Sequence, residues 1–372
     1  MTIRVVVVDD SVVIRRLVVQ ALESDPDVEV VATAANGRLA LAKIEQHAPD
    51  AVTMDIEMPE LNGVESVREL RKRGHTMPII MFSTLTERGA TATFDALDAG
   101  ASDYVAKPSN VGSISESLKA VADQLIPKIR ALVPRPLTSS PTARSAGTVP
   151  GGVRPSVAAQ RHTVMLRATP RNHPVRAVVL GSSTGGPEAL SRVVERLTEP
   201  LPVPLLVVQH MPAIFTRQLA HRLDRLGPSQ VFEAVHGQVL EPGCVYIAPG
   251  DTHLELEGTA GRYRAKITHG APVNFCRPSV DVLFRSALTV VGPDLLAVIL
   301  TGMGADGKVG AGAVADAGGT VVVQDEETSV VWGMPGATAM AGYAHRVLPI
   351  SEIGHTIAGI VRASQGAQEV SR

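Results

Sequence analysis

Residues 178–186 read Val-Val-Leu-Gly-Ser-Ser-Thr-Gly-Gly, a run of branched apolar residues that leads into a turn rich in glycine and hydroxyl groups. An unbroken apolar run is typical of a parallel strand that is buried on both faces. Pro187 to Leu190 then favour the start of a helix. Within the turn, Gly181, Ser183 and Gly185 fit the pattern G-x-S-x-G, a strand-to-helix turn that exposes a serine hydroxyl. Because glycine- and serine-rich turns are common, the pattern indicates catalysis only if a base and an orienting acid occur elsewhere.

Length and composition predict a folded cytoplasmic protein with two domains. The chain has 372 residues, of which 45% are hydrophobic, and a net charge of -2. The two cysteines, Cys244 and Cys276, cannot form a disulfide framework, and no His/Cys cluster has the spacing of zinc ligands. The sequence shows neither a secretory signal nor an apolar run of about 18 residues, so we expect no direct membrane insertion.

The first 125 residues alternate between apolar strands and helical stretches, which predicts a doubly wound parallel sheet. Asp9 and Asp10 end the first strand, and Asp55 ends the third. Ser83 ends the fourth strand and Lys107 the fifth. Because the carboxyl ends of parallel strands share one edge, we expect three carboxylates to crowd there, where a divalent cation such as Mg2+ would offset their repulsion.

This strand-end set, together with Met58-Pro59 and with Pro108, makes residues 1–125 resemble the receiver domain of two-component response regulators. The resemblance implies a flavodoxin-like domain in which a histidine kinase of the chemotaxis system phosphorylates Asp55. It implies that Mg2+ is bound by Asp10, Asp55 and the backbone carbonyl of Glu57, and that Asp9 supports this site. It also implies that Ser83 and Lys107 hold the phosphoryl oxygens and that Tyr104 is an aromatic switch.

Residues 126–174 predict a flexible linker. Prolines interrupt all periodicity there, among serine, threonine, alanine and glycine, and no acid occurs between Asp123 and Glu188. Such a segment cannot bury enough apolar surface to offset its ordering entropy. The basic residues between these two acids are Lys128, Arg130, Arg135, Arg144, Arg154, Arg161, Arg167, Arg171 and Arg176. A soluble tether is favoured over a surface for an acidic partner, and the lack of interleaved aromatic residues disfavours nucleic acid.

Residues 175–365 predict a second, larger α/β domain with a parallel sheet. A serine, a histidine and an aspartate each follow a predicted buried strand, namely Ser183, His210 and Asp306. All three should therefore meet at the carboxyl edge of the sheet. They fit a Ser-His-Asp assembly with Ser183 as nucleophile, His210 as general base and Asp306 as the acid that orients the imidazole.

Two other interpretations compete for these residues. Gly302-x-Gly304-x-x-Gly307, with Asp325 after the next strand, matches a dinucleotide-binding fingerprint. However, Asp306 inside that loop would place a negative charge beside the pyrophosphate. A lipase-like hydrolase has the chain order serine, acid, histidine, which differs from the order here.

Several motifs make the region from about 175 to 360 resemble the catalytic domain of the chemotaxis protein-glutamate methylesterase family. They are residues 181–186 and 209–212, Arg277-Pro278-Ser279-Val280-Asp281, and residues 300–307. The resemblance implies a serine hydrolase, with no cofactor in this domain, that cleaves γ-glutamyl methyl esters of methyl-accepting chemoreceptors, releases methanol and deamidates certain glutamines. It implies that the backbone N-H of Met303 helps form an oxyanion hole, for which Thr184 is a neighbouring candidate.

The order of the domains suggests a regulatory hypothesis, in which the unphosphorylated receiver covers the edge that carries Ser183, His210 and Asp306. The alternative class is a non-catalytic, phosphorylation-gated binding protein. A DNA-binding output is disfavoured because no basic helix-turn-helix segment follows the linker.

Overall fold

The computed structural model describes residues 2–108, 113–133, 164–170, 174–259 and 261–370. These residues form two α/β domains, each built around a parallel sheet, as the sequence predicts. Most of the predicted linker, residues 134–163 and 171–173, lies outside the described residues. No helix among those described combines the length and the hydropathy that crossing a bilayer requires.

The N-terminal domain contains a five-stranded parallel sheet in the order β2-β1-β3-β4-β5. Its strands are β1 (Ile3–Val8), β2 (Val28–Ala34), β3 (Ala51–Asp55), β4 (Ile79–Ser83) and β5 (Asp103–Ala106). Its helices are α1 (Val12–Glu23), α2 (Gly37–His47), α3 (Gly63–Lys72), α4 (Glu87–Asp98) and α5 (Ile114–Leu132). Since β1 pairs directly with β3, the residues that follow these two strands lie side by side at one edge.

Helix α5 is longer than the sequence predicts. It continues through Pro127 to Leu132, beyond the expected domain boundary at residue 125. Leu125, Ile129 and Leu132 are buried in the core beneath the sheet. This apolar packing holds the helix together past the proline, which the sequence pattern indicated as the start of the linker.

Three described basic residues of the predicted linker, and Arg176 just after it, form ion pairs with acids of the two domains. The ion pairs are Lys128–Asp103 at 2.6 Å, Arg130–Asp25 at 2.7 Å, Arg167–Asp316 at 2.7 Å and Arg176–Asp294 at 2.8 Å. At these positions the basic side chains are therefore paired with carboxylates of neighbouring elements.

The C-terminal domain contains a seven-stranded parallel sheet in the order β14-β13-β12-β6-β7-β9-β8, and an antiparallel hairpin β10-β11. Its strands are β6 (Ala177–Ser182), β7 (Leu205–Gln209), β8 (Gln230–Glu233), β9 (Cys244–Ile247), β10 (His253–Thr259), β11 (Arg262–Thr268), β12 (Leu295–Ile299), β13 (Thr320–Gln324) and β14 (Arg346–Leu348). Its helices are α6 (Gly186–Glu195), α7 (Ala213–Leu223), α8 (Val280–Val291), α9 (Lys308–Asp316), α10 (Gly333–Met340) and α11 (Ile350–Val370). The three central strands β12, β6 and β7 are neighbours, so the loops that leave them meet at one edge.

The two domains contact each other through α4 and β5 on one side and α7 on the other. Tyr104 stacks on Phe215 with ring centroids 4.6 Å apart, and Phe94 meets the same ring edge-on at 6.5 Å. Beside them, Arg222 forms a bidentate ion pair with Asp98, in which one of the two hydrogen bonds measures 2.6 Å. Receiver residues therefore pack on the helix that begins shortly after His210.

Candidate active site and phosphorylation site

Ser183 lies in the turn between β6 and α6. Its backbone N-H donates to the carbonyl of Thr301 at 3.0 Å, and its own carbonyl accepts from the Gln209 amide at 2.9 Å. Gly185 has a φ of 74°, a conformation that glycine adopts without strain, and α6 begins at the next residue. The positive end of the α6 dipole is thereby placed beside Ser183.

His210 and Asp306 are in direct contact. His210 Nε2 lies 2.9 Å from Asp306 Oδ2, and Asp306 is 2% exposed. Burial of the imidazole acts to lower its pKa, but the hydrogen bond to Asp306 and a contact with Cys276 outweigh this and raise the pKa of His210 to about 9. The other ring nitrogen, Nδ1, lies 3.5 Å from Cys276 Sγ.

Asp306 is fixed by the start of helix α8. Its carboxylate accepts from the backbone N-H groups of Val280 at 2.7 Å and Asp281 at 3.2 Å. The side chains of Ser279 and Asn274 also donate to it, each at 2.9 Å. Burial acts to raise the pKa of Asp306, but the hydrogen bonds from His210, Asn274 and Val280 outweigh it and lower the pKa to about 2. The carboxylate is therefore charged and oriented.

The turn that carries Ser183 is joined by the backbone to the loop that carries His210. The N-H of His210 donates to the carbonyl of Ser182 at 3.1 Å, so the loops after β6 and β7 are joined. Among the described residues, the hydroxyl of Ser183 itself makes no hydrogen bond. A Cβ placed on Gly302 would lie 2.8 Å from Ser183 Cβ, so the loop after β12 packs closely against the serine. The structure thus joins His210 to Asp306 directly and links the Ser183 turn to the His210 loop through the main chain.

Two backbone N-H groups near Ser183 are available to a ligand. Neither Met303 nor Thr184 donates its N-H to a hydrogen bond within the described residues, whereas the N-H of Ser183 is used. Unpaired donors beside a nucleophile can stabilise the oxyanion of an acyl-transfer intermediate.

The sequence analysis assigned no role to several polar side chains of this site. Gln209 accepts from the Ser182 hydroxyl at 2.7 Å while its amide nitrogen holds the Ser183 carbonyl. Asn274 and Cys276 reach Asp306 and His210 from the loop before α8. A polar residue that ends a buried strand was a usable signal for Gln209, but no spacing rule indicated the other two.

The N-terminal domain places Asp9, Asp55 and Lys107 together. Lys107 Nζ lies 2.9 Å from Asp9 Oδ2 and 2.8 Å from Asp55 Oδ1. Burial raises the pKa of Asp55 to about 6, against the lowering effect of Lys107. Burial likewise raises the pKa of Asp9.

The remaining predicted residues of this domain are placed as follows. The Ser83 hydroxyl accepts from Thr93 at 2.8 Å and bonds to the Gly89 carbonyl, so it contacts α4. The Glu57 side chain is exposed and lies 3.4 Å from Arg88.

The carboxylate cluster fits a hard divalent cation. The nearest side-chain oxygens of Asp9, Asp10 and Asp55 all lie within 4.8 Å of one another. All-oxygen donor sets suit Mg2+, and Asp10 is exposed enough to leave room for water ligands. The residues present are therefore consistent with Mg2+ binding at this edge.

Comparison with known proteins finds a matching family for each of the two domains. The CheB methylesterase family model matches residues 178–357, and the response regulator receiver domain model matches residues 5–119. A protein-glutamate methylesterase/protein-glutamine glutaminase from Nocardioides sp. is 58% identical over 355 residues, which are 95% of this chain and 94% of the relative. This chain belongs to the protein-glutamate methylesterase/protein-glutamine glutaminase family. A second relative of that name, from Trichodesmium erythraeum, is 40% identical over 95% of this chain and 97% of its own length.

A solved structure of this methylesterase family is also similar. The catalytic domain of the Thermotoga maritima CheB methylesterase is 43% identical, covers 51% of this chain and all of its own, and superposes with a TM-score of 0.49. The two relatives that match 95% of this chain both carry the names of enzymes. The alternative of a non-catalytic binding protein is therefore not supported.

Proposed function

We propose that this chain is a phosphorylation-activated protein-glutamate methylesterase and protein-glutamine glutaminase that acts on chemoreceptors. The hydrogen bond between His210 and Asp306, at the sheet edge that also carries the Ser183 turn, is the observation that carries the proposal. The proposed units are a receiver (1–125, with α5 reaching Leu132), a linker and a catalytic domain (175–365). The cytoplasmic location expected from the sequence is part of the proposal.

The esterase reaction follows from the tautomer of His210. Because Nε2–H donates to Asp306, Nδ1 is the nitrogen that accepts the proton of the Ser183 hydroxyl. The serine oxygen attacks the γ-carbonyl carbon, and the oxyanion is stabilised by the N-H groups of Met303 and Thr184. One such donor is typically worth about 2.7–4 kcal/mol of barrier.

The second half of the reaction regenerates the serine. His210 returns its proton to the leaving group, so that methanol departs from an ester, or ammonia from a glutamine amide. Water then loses a proton to His210 and attacks the acyl-enzyme, and His210 returns that proton to the Ser183 oxygen as the free γ-carboxylate leaves. Both substrates pass through the same type of tetrahedral intermediate, so one site serves both.

The receiver supplies the switch. Asp55 would accept a phosphoryl group from a histidine kinase, with Lys107 and Ser83 as partners of the phosphoryl oxygens. Asp10, Asp55 and the Glu57 carbonyl would hold Mg2+, with Asp9 supporting, and the ion would supply charge neutralisation for carboxylate attack on phosphorus. Ser83 must leave its contacts with α4 to take this role.

Contacts between the domains support a model in which the receiver covers the catalytic edge. Tyr104, the proposed aromatic switch, is buried against Phe215 on α7. A cleft of about 640 Å³ between the domains is lined by α4 residues and by Gly185 of the Ser183 turn. Rearrangement of Tyr104 on phosphorylation would disturb a helix that starts three residues after His210.

Methanol release from methylated receptor membranes, with and without a phosphodonor, tests the proposal. We expect Ser183→Ala to abolish release while phosphorylation of Asp55 continues, and turnover in this variant would remove serine catalysis. We expect the fragment from about residue 170 onward to be faster than the unphosphorylated full chain. A fragment that is no faster would defeat the cover model.

A further inference from the structure

A thiol faces the imidazole nitrogen that the proposed reaction needs. Cys276 Sγ lies 3.5 Å from His210 Nδ1, on the ring edge opposite the contact with Asp306. The thiol is half-buried, and its loop is held by reciprocal backbone hydrogen bonds between Cys276 and Val273 at 2.9 and 3.0 Å. A sulfur and a ring nitrogen are therefore presented side by side at the edge of the site.

Their separation matches one edge of a tetrahedral metal site. With Zn–S of about 2.3 Å, Zn–N of about 2.0–2.1 Å and a tetrahedral angle, the S–N distance is about 3.5–3.6 Å. The donor atoms of Cys276, His210 and Asp306 all lie within 4.8 Å of one another. An ion at this position would bind the thiolate and the imidazole without moving the backbone.

Asp306 occupies the position of a carboxylate that hydrogen-bonds to a metal-binding histidine. Histidines that bind metals usually donate their other ring N-H to a carboxylate, which fixes the tautomer and makes the binding nitrogen more basic. His210 donates Nε2–H to Asp306, and that carboxylate is itself held by Asn274, Ser279 and the N-terminus of α8.

We propose that Cys276 Sγ and His210 Nδ1 form a binding site for a soft divalent cation such as Zn2+, and that occupancy inhibits the hydrolase. Binding replaces the thiol proton and the Nδ1 proton of the imidazolium by bonds to the metal and releases both protons to solvent. Thiolate sulfur selects Zn2+ or Cd2+ over the Mg2+ that suits the receiver carboxylates. The metal occupies the lone pair that must accept the Ser183 proton, so the ion and catalysis exclude each other. The inhibitory half of this inference rests on the proposed function.

Cobalt titration of the full-length protein tests the site without an activity measurement. Co2+ bound to a thiolate gives a sulfur-to-metal absorption band, which the oxygen ligands of the receiver cannot give. We expect the band in the wild type and in the matched control Cys244→Ser, and its loss in Cys276→Ser and in Cys276→Ala. The absence of a band in the wild type, or its persistence in both Cys276 variants, would overturn the site.

Zinc inhibition of methanol release then tests the consequence. Each variant is compared with its own zinc-free rate, and removal of zinc by a chelator should restore that rate. We expect the zinc concentration for half inhibition to rise roughly 10-fold or more in Cys276→Ser, since loss of even an indirect partner of a metal ligand changes affinity by about that factor. Equal inhibition of wild type and Cys276→Ser would refute inhibition through this site. A cobalt band in a wild type that releases no methanol would instead retain the site and reject the proposed function.

Discussion

The ion pair between Asp98 and Arg222 offers a direct test of how the receiver is held on the catalytic domain. Asp98 is the last residue of α4, and Arg222 lies near the end of α7. The Arg222 side chain is only 17% exposed, that of Asp98 is 47% exposed, and the guanidinium also lies over the Phe94 ring at 5.7 Å. We expect Asp98→Ala to weaken this interface while leaving the residues around Ser183 in place.

The size of the effect follows from the exposure of the pair. A partly exposed ion pair contributes up to about 1 kcal/mol, and bidentate geometry places this one toward the upper end of the range. Glu188 lies 3.9 Å from the same guanidinium and would retain part of its attraction within the catalytic domain. A loss of about 1 kcal/mol changes an equilibrium about 5-fold. The unphosphorylated rate of methanol release should therefore rise by up to about 5-fold, with little change in the phosphorylated rate.

Methanol release from receptor membranes, with and without a phosphodonor, is the assay. Asp95→Ala is the matched control, because Asp95 is an exposed acid on the same helix. In an Asp98→Ala background, Arg222→Ala should add only the loss of its contact with the Phe94 ring, since the ion pair is already lost. If Asp98→Ala released methanol no faster than Asp95→Ala, the ion pair between Asp98 and Arg222 would not limit the activity of the unphosphorylated enzyme.

Three further predictions concern the catalytic edge. The pKa of His210 is raised to about 9, so only about one imidazole in a hundred is neutral at pH 7. The esterase rate should therefore rise with pH until about pH 9. A rate that is already level by pH 7 would contradict this. Asp306→Asn should lower the rate by roughly 10⁴-fold by favouring the wrong tautomer, with receiver phosphorylation as the control, and near-normal turnover would remove Asp306 from the mechanism. Gly302→Ala should lower methanol release by up to about 100-fold because its methyl group would clash with the Met334 sulfur and with Ser183 Cβ. A normal rate would show that these groups can move aside without displacing the serine.

Much of the fold was predictable because buried parallel strands leave a strong signal. Strands such as β6 and β12 are continuous runs of apolar residues, and both sheets have the predicted parallel arrangement. The topology rule then places Ser183, His210 and Asp306 at one edge, and the contact between the last two lies where that rule predicts.

What the sequence could not predict depends on tertiary packing. Helix α5 passes Pro127 because residues far away in the chain bury its apolar face. Phe215 follows no motif, and its partner Tyr104 lies in the other domain. The approach of Cys276 to His210 is set by the loop between β11 and α8, which no local pattern encodes.

The carboxylate of Asp306 also has a consequence for engineering. Active-site residues often lower the stability of a folded protein, and replacing them can raise its melting temperature. Asp306 is instead bonded to the two backbone amides that begin α8, so the acid that aligns the imidazole also acts as a structural cap. Selection for thermal robustness and selection for turnover should therefore favour the same residue here, which makes this enzyme a suitable scaffold for directed evolution toward new ester substrates.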